Sequence, residues 1–510
     1  MRYMKKILFA LLLPFSLFAQ TAKIKIDVER SIGEIDPKIY GVFMEPIEIS
    51  GRRGLPDSPK LNTLYGTLYD PSSALADQDG FKKNYIEAMK ELKVTNMRWP
   101  GGNFLMGYNW QDGIGPKNQR PARINMAWGG IDNNHVGTDE WFALNKSIGS
   151  ENVVCVNLGL GNIMDAAYWL EYCNYPKGTY YSDLRIKNGH AAPYKVKIWD
   201  LGNEVDGKPW ELGHKNAEDY IEVAREAAKA MKAIDNSIDL VGCGSSWYSS
   251  PNDWDDWNRK ILYGIGDKIK YLSIHSYWEN SPDYYSYMGA SAKIFDERIT
   301  ITAGEIKAVS TTQGFKNPIY LSVDEWGSMS RNTLAALPVA QSFNSFLRHA
   351  DVVKMGNFTL LTSLLGNDRV KGAFKTPVFY IFKAYANNCL GSSIDTYVTC
   401  DTFNTAKYNG IPYLDVASTY SKETNTVFIN VINRHKDKAI TADITNTSGG
   451  FTGKAEVSFI AGKELQENFE FDKQEQYVPV KTDVEIKNNK ISYSFPPHSF
   501  IQIKVTAGGK

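Results

Sequence analysis

The stretch VKIWDLGNE, residues 196–204, is a short apolar run that ends in glycine, asparagine and glutamate. A nearly continuous apolar run of this length is typical of a strand buried on both faces of a parallel sheet. A second stretch, PIYLSVDEW (318–326), has the same form and also carries a glutamate near its end. The two stretches therefore predict buried parallel strands that each finish on a carboxylate.

Six more apolar runs of this kind lie between residues 35 and 361, and amphipathic stretches separate them. They are KIYGVFME (38–45), TNMRWP (95–100), NVVCVNLG (152–159), IDLVGCG (238–244), YLSIHSY (271–277) and VVKMGNFTLL (352–361). In residues 216–235 the apolar residues recur at steps of three and four, and Asn216 is placed to cap the helix. Eight strands alternating with helices predict an α/β fold, a (β/α)8 TIM barrel. An open doubly wound sheet is the alternative, disfavoured because no GxGxxG or Walker loop follows the first strand.

Beyond residue 385 the pattern changes to alternating polar and apolar residues. Examples are TVFINVI (426–432) and FIQIKV (500–505), with turn-forming residues between such runs. This pattern predicts a C-terminal all-β sandwich domain. We expect a barrel over 35–385, a sandwich over 386–510, and an N-terminal segment, 20–34, that contributes a strand to the sandwich.

The first residues have the order of a secretory signal peptide: basic residues, about a dozen apolar residues, then a small residue at Ala19. The apolar run is shorter than the roughly 20 residues of a membrane-spanning helix, although an uncleaved anchor is the alternative. The sequence predicts a signal peptide over 1–19 and a secreted or periplasmic protein.

The composition excludes several classes of partner. Lys and Arg together number 57, as do Asp and Glu, so no net charge steers the chain toward nucleic acid. The five cysteines form no CxxC pair and the seven histidines have no metal-ligand spacing. We expect no cofactor, no metal, no nucleic acid partner and no membrane association.

Two carboxylates on opposite strands of a barrel can together cleave an acetal. One protonates the leaving oxygen and the other attacks the anomeric carbon, which in a retaining mechanism requires a separation of about 5–5.5 Å. Glu204 ends the fourth strand and Glu325 lies near the end of the seventh, where a TIM barrel places catalytic groups. We assign Glu204 as the general acid/base and Glu325 as the nucleophile. The alternative is that each is an ordinary loop carboxylate.

Further polar residues cluster at neighbouring strand ends. Arg98 ends the second strand and Asn103 follows a Pro-Gly-Gly turn, where an amide can donate to and accept from a sugar hydroxyl. His275 and Tyr277 end the sixth strand on one face, from which either can hydrogen-bond Glu325. The alternatives are a structural loop and a buried core histidine.

With these residues in place, the chain resembles glycoside hydrolase family 51, whose best-known members are α-L-arabinofuranosidases. The motifs that carry the resemblance are RWPGGN (98–103), GYNWQDGIGP (107–116), GTDEW (137–141), VNLGLG (156–161), LGNEVDG (201–207), ELGHKNAEDY (211–220), SIHSY (273–277), DEW (324–326), LRHADVVK (347–354) and PYLDVA (412–417). They span nearly the whole chain. The resemblance implies a retaining mechanism without a metal cofactor, and homo-oligomers.

The resemblance also implies site roles. Glu45, Arg98, Asn103 and Asn203 would bind the furanose, and His275 and Tyr277 would support Glu325. Three departures lie at the pocket: Pro46 stands where the family usually has His, FTLLTSLLG (358–366) lacks the Gln and Asn usual at the end of strand eight, and the loop after Trp326 lacks the usual pattern.

The leading hypothesis is an exo-acting α-L-arabinofuranosidase on arabinose-containing polysaccharides or oligosaccharides, such as arabinan or arabinoxylan. The alternatives are another retaining hydrolase of the same clan, an endo-glucanase or endo-xylanase, and a carbohydrate-binding protein without catalysis. The paired carboxylates disfavour the last.

Overall fold

A closed barrel of eight parallel strands forms the larger part of the chain. The computed structural model describes residues 22–49, 61–208, 211–246, 254–278, 280–328, 330–368, 370–460, 464–466 and 471–509. Neighbouring barrel strands follow each other in the chain, and the eighth pairs with the first. In order, the barrel strands are Gly41–Phe43, Asn96–Trp99, Glu151–Val156, Ile198–Leu201, Asp239–Gly242, Tyr271–Ser276, Tyr320–Trp326 and Val353–Thr359.

Helices surround the barrel, and most connect consecutive strands. The α-helices within the described residues are Lys83–Leu92, Thr138–Ile148, Ile163–Asn174, Tyr180–Lys187, Ala217–Ile234, Trp254–Ile265, Tyr284–Gln313, Thr333–Arg348 and Pro377–Asn388. The helix predicted over 216–235 begins at Ala217, and the Asn216 side chain accepts a hydrogen bond from Asp219 N as its cap. Short 3-10 helices are Pro37–Tyr40, Asn103–Gly107, Trp110–Gly113, Lys117–Gln119, Leu361–Ser363 and Phe471–Tyr477.

The C-terminal part forms one nine-stranded sheet that curves around its own apolar core. From one edge to the other its strands are Val480–Glu485, Phe451–Ile460, Ser499–Ala507, Thr426–Asn433, Leu414–Ser421, Ser392–Thr399, Ala22–Glu34, Ile440–Asn446 and Lys490–Phe495. Strands from the two ends of the sheet are in contact, so the sheet closes on itself as a sandwich. The N-terminal strand lies inside this sheet, antiparallel to Ser392–Thr399 and parallel to Ile440–Asn446.

Four short two-stranded sheets lie outside the barrel and the nine-stranded sheet. Their paired strands are Glu48–Ile49 with Leu61–Asn62, Arg123–Ile124 with Ile131–Asp132, Leu365–Asp368 with Gly372–Lys375, and Thr402–Phe403 with Ile411–Pro412.

The interior of the barrel is filled in layers. A layer of side chains on alternate barrel positions is apolar: Val153, Ile198, Val241, Tyr271 and Met355. Two residues further along strand four, Asp200 points to the same side and is in contact with Arg98 of strand two. The barrel is therefore a packed core that becomes charged toward the carboxyl ends of its strands.

The predicted (β/α)8 barrel with a C-terminal β domain is confirmed. The predicted signal peptide, residues 1–19, lies outside the described residues. Among the helices that the structure describes, none is both long and apolar enough to cross a membrane.

Candidate active site

Glu204 lies in a sharp turn directly after the fourth barrel strand. The strand ends at Leu201, Gly202 has φ of +97°, and Glu204 itself has φ of +46°. A non-glycine residue in this left-handed region is uncommon and strained, and such strain persists where the surrounding structure holds the residue in place. The turn leaves the Glu204 side chain buried at the carboxyl end of the barrel.

Glu325 lies within the seventh barrel strand, and two donors hold its carboxylate. Arg98 Nη1 donates to Glu325 Oε1 at 3.0 Å, and the Tyr277 hydroxyl donates to Oε2 at 3.0 Å. The pairing of strands seven and eight is irregular between Val323 and Trp326, the segment that carries Glu325. Both oxygens of Glu325 are thus fixed in orientation.

The two glutamates face each other across the end of the barrel. One oxygen of Glu204, one oxygen of Glu325 and one ring nitrogen of His275 all lie within 4.8 Å of one another. This separation agrees with the spacing of about 5–5.5 Å between the carboxyl groups of retaining glycosidases, not with the wider spacing of inverting ones.

His275 contacts a different carboxylate from the one expected. Its Nδ1 lies 2.8 Å from Glu204 Oε1 and 3.7 Å from Glu325 Oε2, so its hydrogen bond goes to Glu204 and Glu325 lies at ion-pair distance. Of the two residues expected to be able to hydrogen-bond Glu325, Tyr277 is the one that does. The pairing of strands six and seven is irregular between Ser273 and His275. Its Nε2 lies 3.3 Å from Asp324 Oδ1.

Carboxylates on three sides hold His275 in its charged form. Burial alone would lower the pKa of its imidazole, but Glu325, Asp324 and Glu204 outweigh burial and raise the pKa well above its ordinary value. The imidazolium therefore places a positive charge between the two glutamates at neutral pH.

Burial and the cationic neighbours shift the pKa of Glu325 in opposite directions. Desolvation raises the pKa of Glu325, and the Glu204 carboxylate adds to the rise, while His275, Arg98 and the Tyr277 hydroxyl oppose it. The net effect is a pKa above the ordinary range of a glutamate.

The predicted binding residues after strands one and two also converge on the site. Asn103 Nδ2 donates to Glu204 Oε2 at 3.1 Å, and Glu45 Oε2 accepts from Phe104 N at 2.9 Å. Burial, followed by the charge of Glu325, raises the pKa of Glu45 to about 8. Glu45 is thus a neutral acid near pH 7 and can both donate and accept.

Asn203 and Tyr277 each join the network through one polar atom. Asn203 has a second polar atom without a partner, and Tyr277 is partly exposed. Asn203 Oδ1 accepts from Arg98 Nη2 at 2.8 Å, while its Nδ2 is buried without a hydrogen-bond partner among the described residues. The hydroxyl of Tyr277 is engaged with Glu325, although 39% of the residue is exposed. The structure therefore brings all eight predicted site residues into one cluster.

Sequence reasoning missed Asp200. Its Oδ2 accepts from Arg98 Nε at 2.6 Å, at the bottom of the cluster. The signal was present in the IWDL run of strand four, where a charged residue interrupts an otherwise apolar strand. A buried carboxylate is retained at such a position when a cation pairs with it.

Glu204, His275 and Glu325 are also the group of described residues whose ligand atoms lie close enough to hold a cation. Their ligand atoms are already engaged, since Arg98 and Tyr277 donate to Glu325 while Asn103 and His275 contact Glu204. The donor set therefore fits proton transfer better than metal binding.

Comparisons with known proteins agree with this geometry. Residues 88–288 match the α-L-arabinofuranosidase 1 domain, and residues 324–499 match the α-L-arabinofuranosidase C-terminal domain. An intracellular exo-α-(1→5)-L-arabinofuranosidase of Bacillus subtilis is 35% identical, covering 82% of this chain and 85% of the relative. The chain belongs to glycoside hydrolase family 51.

Other arabinofuranosidases are similar to the chain over most of its length. α-L-Arabinofuranosidase C of Emericella nidulans is 34% identical over 84% of this chain and 88% of its own length. The arabinose complex of an α-L-arabinofuranosidase from Thermotoga maritima superposes with a TM-score of 0.84 at 29% identity, covering 95% of this chain and all of that one.

The same comparisons contradict the predicted export. Relatives from Bacillus subtilis, Halalkalibacterium halodurans, Acetivibrio thermocellus and Streptomyces lividans are all named intracellular. The prediction of a secreted or periplasmic protein depended on the order of basic, apolar and small residues in 1–19 alone. A short basic and apolar start is a weak predictor by itself.

Two of the departures from the family pattern, Pro46 and the end of strand eight, have structural roles. Pro46 O accepts from Asn125 Nδ2 at 2.9 Å, so this position holds a loop instead of presenting a side chain donor. Strand eight ends at Thr359, and Leu360, Leu361 and Leu364 after it are fully buried. This segment contributes packing instead of the Gln and Asn that the resemblance leads us to expect there.

Proposed function

We propose that this chain is a retaining, exo-acting α-L-arabinofuranosidase that releases terminal α-L-arabinofuranosyl residues from plant polysaccharides or oligosaccharides. The observation that carries the proposal is the pair of buried carboxylates, Glu204 and Glu325, with oxygens within 4.8 Å of each other on a family 51 barrel. We leave the linkage open, because relatives named for (1→5) and for (1→6) activity are similarly related to the chain.

In the first step, Glu325 attacks the anomeric carbon while Glu204 donates a proton to the leaving oxygen. The bond from the anomeric carbon to the aglycone breaks, and an ester between the sugar and Glu325 forms. In the second step, Glu204 takes a proton from water, the water oxygen attacks the anomeric carbon, and the ester breaks. Two inversions give net retention.

The contacts support this division of roles. Arg98 and Tyr277 bind both oxygens of Glu325 and fix its direction of attack, as a nucleophile requires. Glu204 instead contacts Asn103 and the ring of His275. The imidazolium of His275 can steady Glu204 whenever that carboxylate has given up its proton.

The remaining cluster residues would hold the furanose. The free amide nitrogen of Asn203 lies beside Glu204, where it can donate to the 2-hydroxyl. Glu45, neutral near pH 7, can bind another hydroxyl. A barrel over 35–385 and a sandwich over 386–510, completed by the strand from 20–34, is the domain division we propose.

Because the nucleophile must be ionised, the direction in which acid changes kcat/KM can be predicted. Since burial raises the pKa of Glu325, we expect kcat/KM to fall as the pH drops through a value above the ordinary glutamate range. Between this fall and neutral pH, activity should be retained.

Azide rescue tests the assignment. Glu325→Gly should abolish turnover of p-nitrophenyl α-L-arabinofuranoside, and azide should restore it by forming a glycosyl azide of inverted configuration. Glu204→Ala should still form the glycosyl-enzyme from this activated substrate, and azide should then give a product of retained configuration. NMR of each product determines the configuration.

The exposed Glu226 provides a control, since Glu226→Ala should respond to azide no more than the unmutated enzyme does. Exchanged configurations would reverse the two roles, and inversion by the unmutated enzyme would remove the retaining mechanism. Release of oligosaccharides, with no single pentose from the furanoside, would favour an endo-acting hydrolase.

A further inference from the structure

Asp200 lies in the barrel directly above the apolar interior layer and below the catalytic pair. It is fully buried, its Oδ2 lies 2.6 Å from Arg98 Nε, and its Oδ1 has no hydrogen-bond partner among the described residues. On the other side of the same nitrogen, Asp324 Oδ2 lies at 3.8 Å. Asp200 makes no contact with Glu204 or Glu325 that would let it take part in the chemistry directly.

The guanidinium of Arg98 joins Asp200 to the site. Its Nε contacts Asp200, Nη1 donates to Glu325 at 3.0 Å, and Nη2 donates to Asn203 at 2.8 Å. A guanidinium is a rigid planar fork, so holding one nitrogen fixes the positions of the other two. The 2.6 Å contact is the shortest of the three and is charge-assisted.

We propose that Asp200 is a positioning residue: through Arg98 Nε it orients the guanidinium that holds the nucleophile Glu325 and the substrate-facing Asn203. The inference rests on the proposed function of this site. It gives a role to a buried charge in strand four that the reaction steps themselves do not use.

Charge balance gives Asp200 a second effect on the same site. Burial raises the pKa of Asp200 to about 7, because desolvation and the Asp324 carboxylate together outweigh Arg98. Asp200 is therefore neutral on the acidic side of pH 7 and negative on the alkaline side. The titratable and charged groups facing it from the surrounding elements are Arg98, Cys155, Tyr220, His275 and Asp324.

Two substitutions separate orientation from charge. Asp200→Ala removes the acceptor for Arg98 Nε, so we expect kcat to fall at least about tenfold while KM changes less than about threefold. Asp200→Asn keeps an oxygen acceptor of the same shape, so kcat should stay within about threefold of the unmutated enzyme. Both are measured on the full chain with p-nitrophenyl α-L-arabinofuranoside.

The pH profile of kcat/KM should change in the Asn variant, whereas a purely structural role of Asp200 would leave this profile unchanged. Above about pH 7 the Asn variant lacks a negative charge that the unmutated site has. The other titratable groups of the site should therefore lose their protons at a lower pH. The alkaline limb of kcat/KM should move to lower pH. The acidic limb should stay in place, because below that pH Asp200 is itself protonated.

Asp415→Asn is the matched control. Asp415 is also a buried carboxylate paired with arginine, but it lies where the barrel helix Thr333–Arg348 meets the C-terminal sheet. It should lower the thermal unfolding midpoint without changing kcat or the pH limbs.

The outcomes are distinct. Inactivity of the unmutated enzyme on the furanoside refutes the proposed function, not the role of Asp200. An active enzyme whose Ala variant keeps kcat within twofold overturns the inference. Equal losses in the Ala and Asn variants with unmoved pH limbs also overturn it. If the Ala variant does not fold, the alkaline limb of the Asn variant decides.

Discussion

At the scale of single residues, the site is organised by which polar atoms are already engaged. Arg98 directs its donors to four partners, one of them the sulfur of Cys155, and Tyr277 and Asn103 each direct one donor to a catalytic carboxylate. Asn203 differs, because its Nδ2 is buried without a partner among the described residues. A buried donor without a partner costs free energy, which a substrate hydroxyl can offset.

We predict that Asn203→Ala lowers kcat by about 10²-fold with little change in KM. The lost amide donor would bind the 2-hydroxyl, and that hydrogen bond strengthens as charge develops in the transition state. Steady-state kinetics on p-nitrophenyl α-L-arabinofuranoside measure both constants. Asn203→Asp controls for loss of the contact with Arg98. It keeps an oxygen that can accept from Arg98 Nη2, and it loses the amide donor as the Ala variant does. A raised KM at unchanged kcat would show that Asn203 binds ground and transition states equally.

At the scale of elements, the loop after strand two determines where Glu45 lies. Gly102 packs against the Glu45 carboxyl so closely that an added Cβ would lie 2.6 Å from Glu45 Oε1 and 2.7 Å from its Cδ. The glycine is required for this close approach and not for its backbone angle, since its φ is −73°. The Pro-Gly-Gly turn thus leaves space for the neighbouring strand's side chain.

Gly102→Ala should therefore displace Glu45 and raise KM by about tenfold, with a smaller effect on kcat, because Glu45 is proposed to bind the sugar and not to react. Kinetics at several substrate concentrations give the two constants. Gly304→Ala serves as the control: the space around Gly304 is empty within 4 Å, and alanine favours the helix. An unchanged KM in Gly102→Ala would contradict the position assigned to Glu45.

The elements were predictable from the chain because their periodicities are local. The apolar run before Glu204 and the three-and-four spacing after Asn216 each reflect burial of one element against its neighbours. The barrel then follows from the alternation of such elements. The positions of Glu204 and Glu325 at opposite strand ends follow from the same reasoning.

The contacts between side chains were less predictable. Whether His275 reaches Glu204 or Glu325 depends on the distances between side chains of strands four, six and seven, which no local pattern reveals. The contact of Asp200 with Arg98 crosses strand three and depends on the barrel radius. The left-handed backbone of Glu204 is likewise imposed by its surroundings, since a glutamate has no preference for it.

At the scale of the whole molecule, buried charges join the barrel to the sheet. Asp415 accepts from Arg348 Nη1 at 2.7 Å and pairs with Arg434 Nη2 at 3.0 Å. Arg348 also pairs with Asp296 at 3.0 Å, so it has a second carboxylate. Arg434 is 3% exposed, and Asp415 is the carboxylate with which it pairs among the described residues.

We predict that Asp415→Asn lowers the free energy of unfolding by about 3 kcal/mol, because it leaves the buried charge of Arg434 without a counter-ion. Urea unfolding followed by fluorescence measures the change, and kcat below the transition should be unaffected, because Asp415 lies outside the catalytic cluster. Asp437→Asn, at an exposed position in the loop between the strands Thr426–Asn433 and Ile440–Asn446, should leave the unfolding midpoint unchanged. If Asp415→Asn also left the midpoint unchanged, the ion pairs would contribute nothing net to stability. The apolar contacts between the helix Thr333–Arg348 and the sheet would then hold the two domains together.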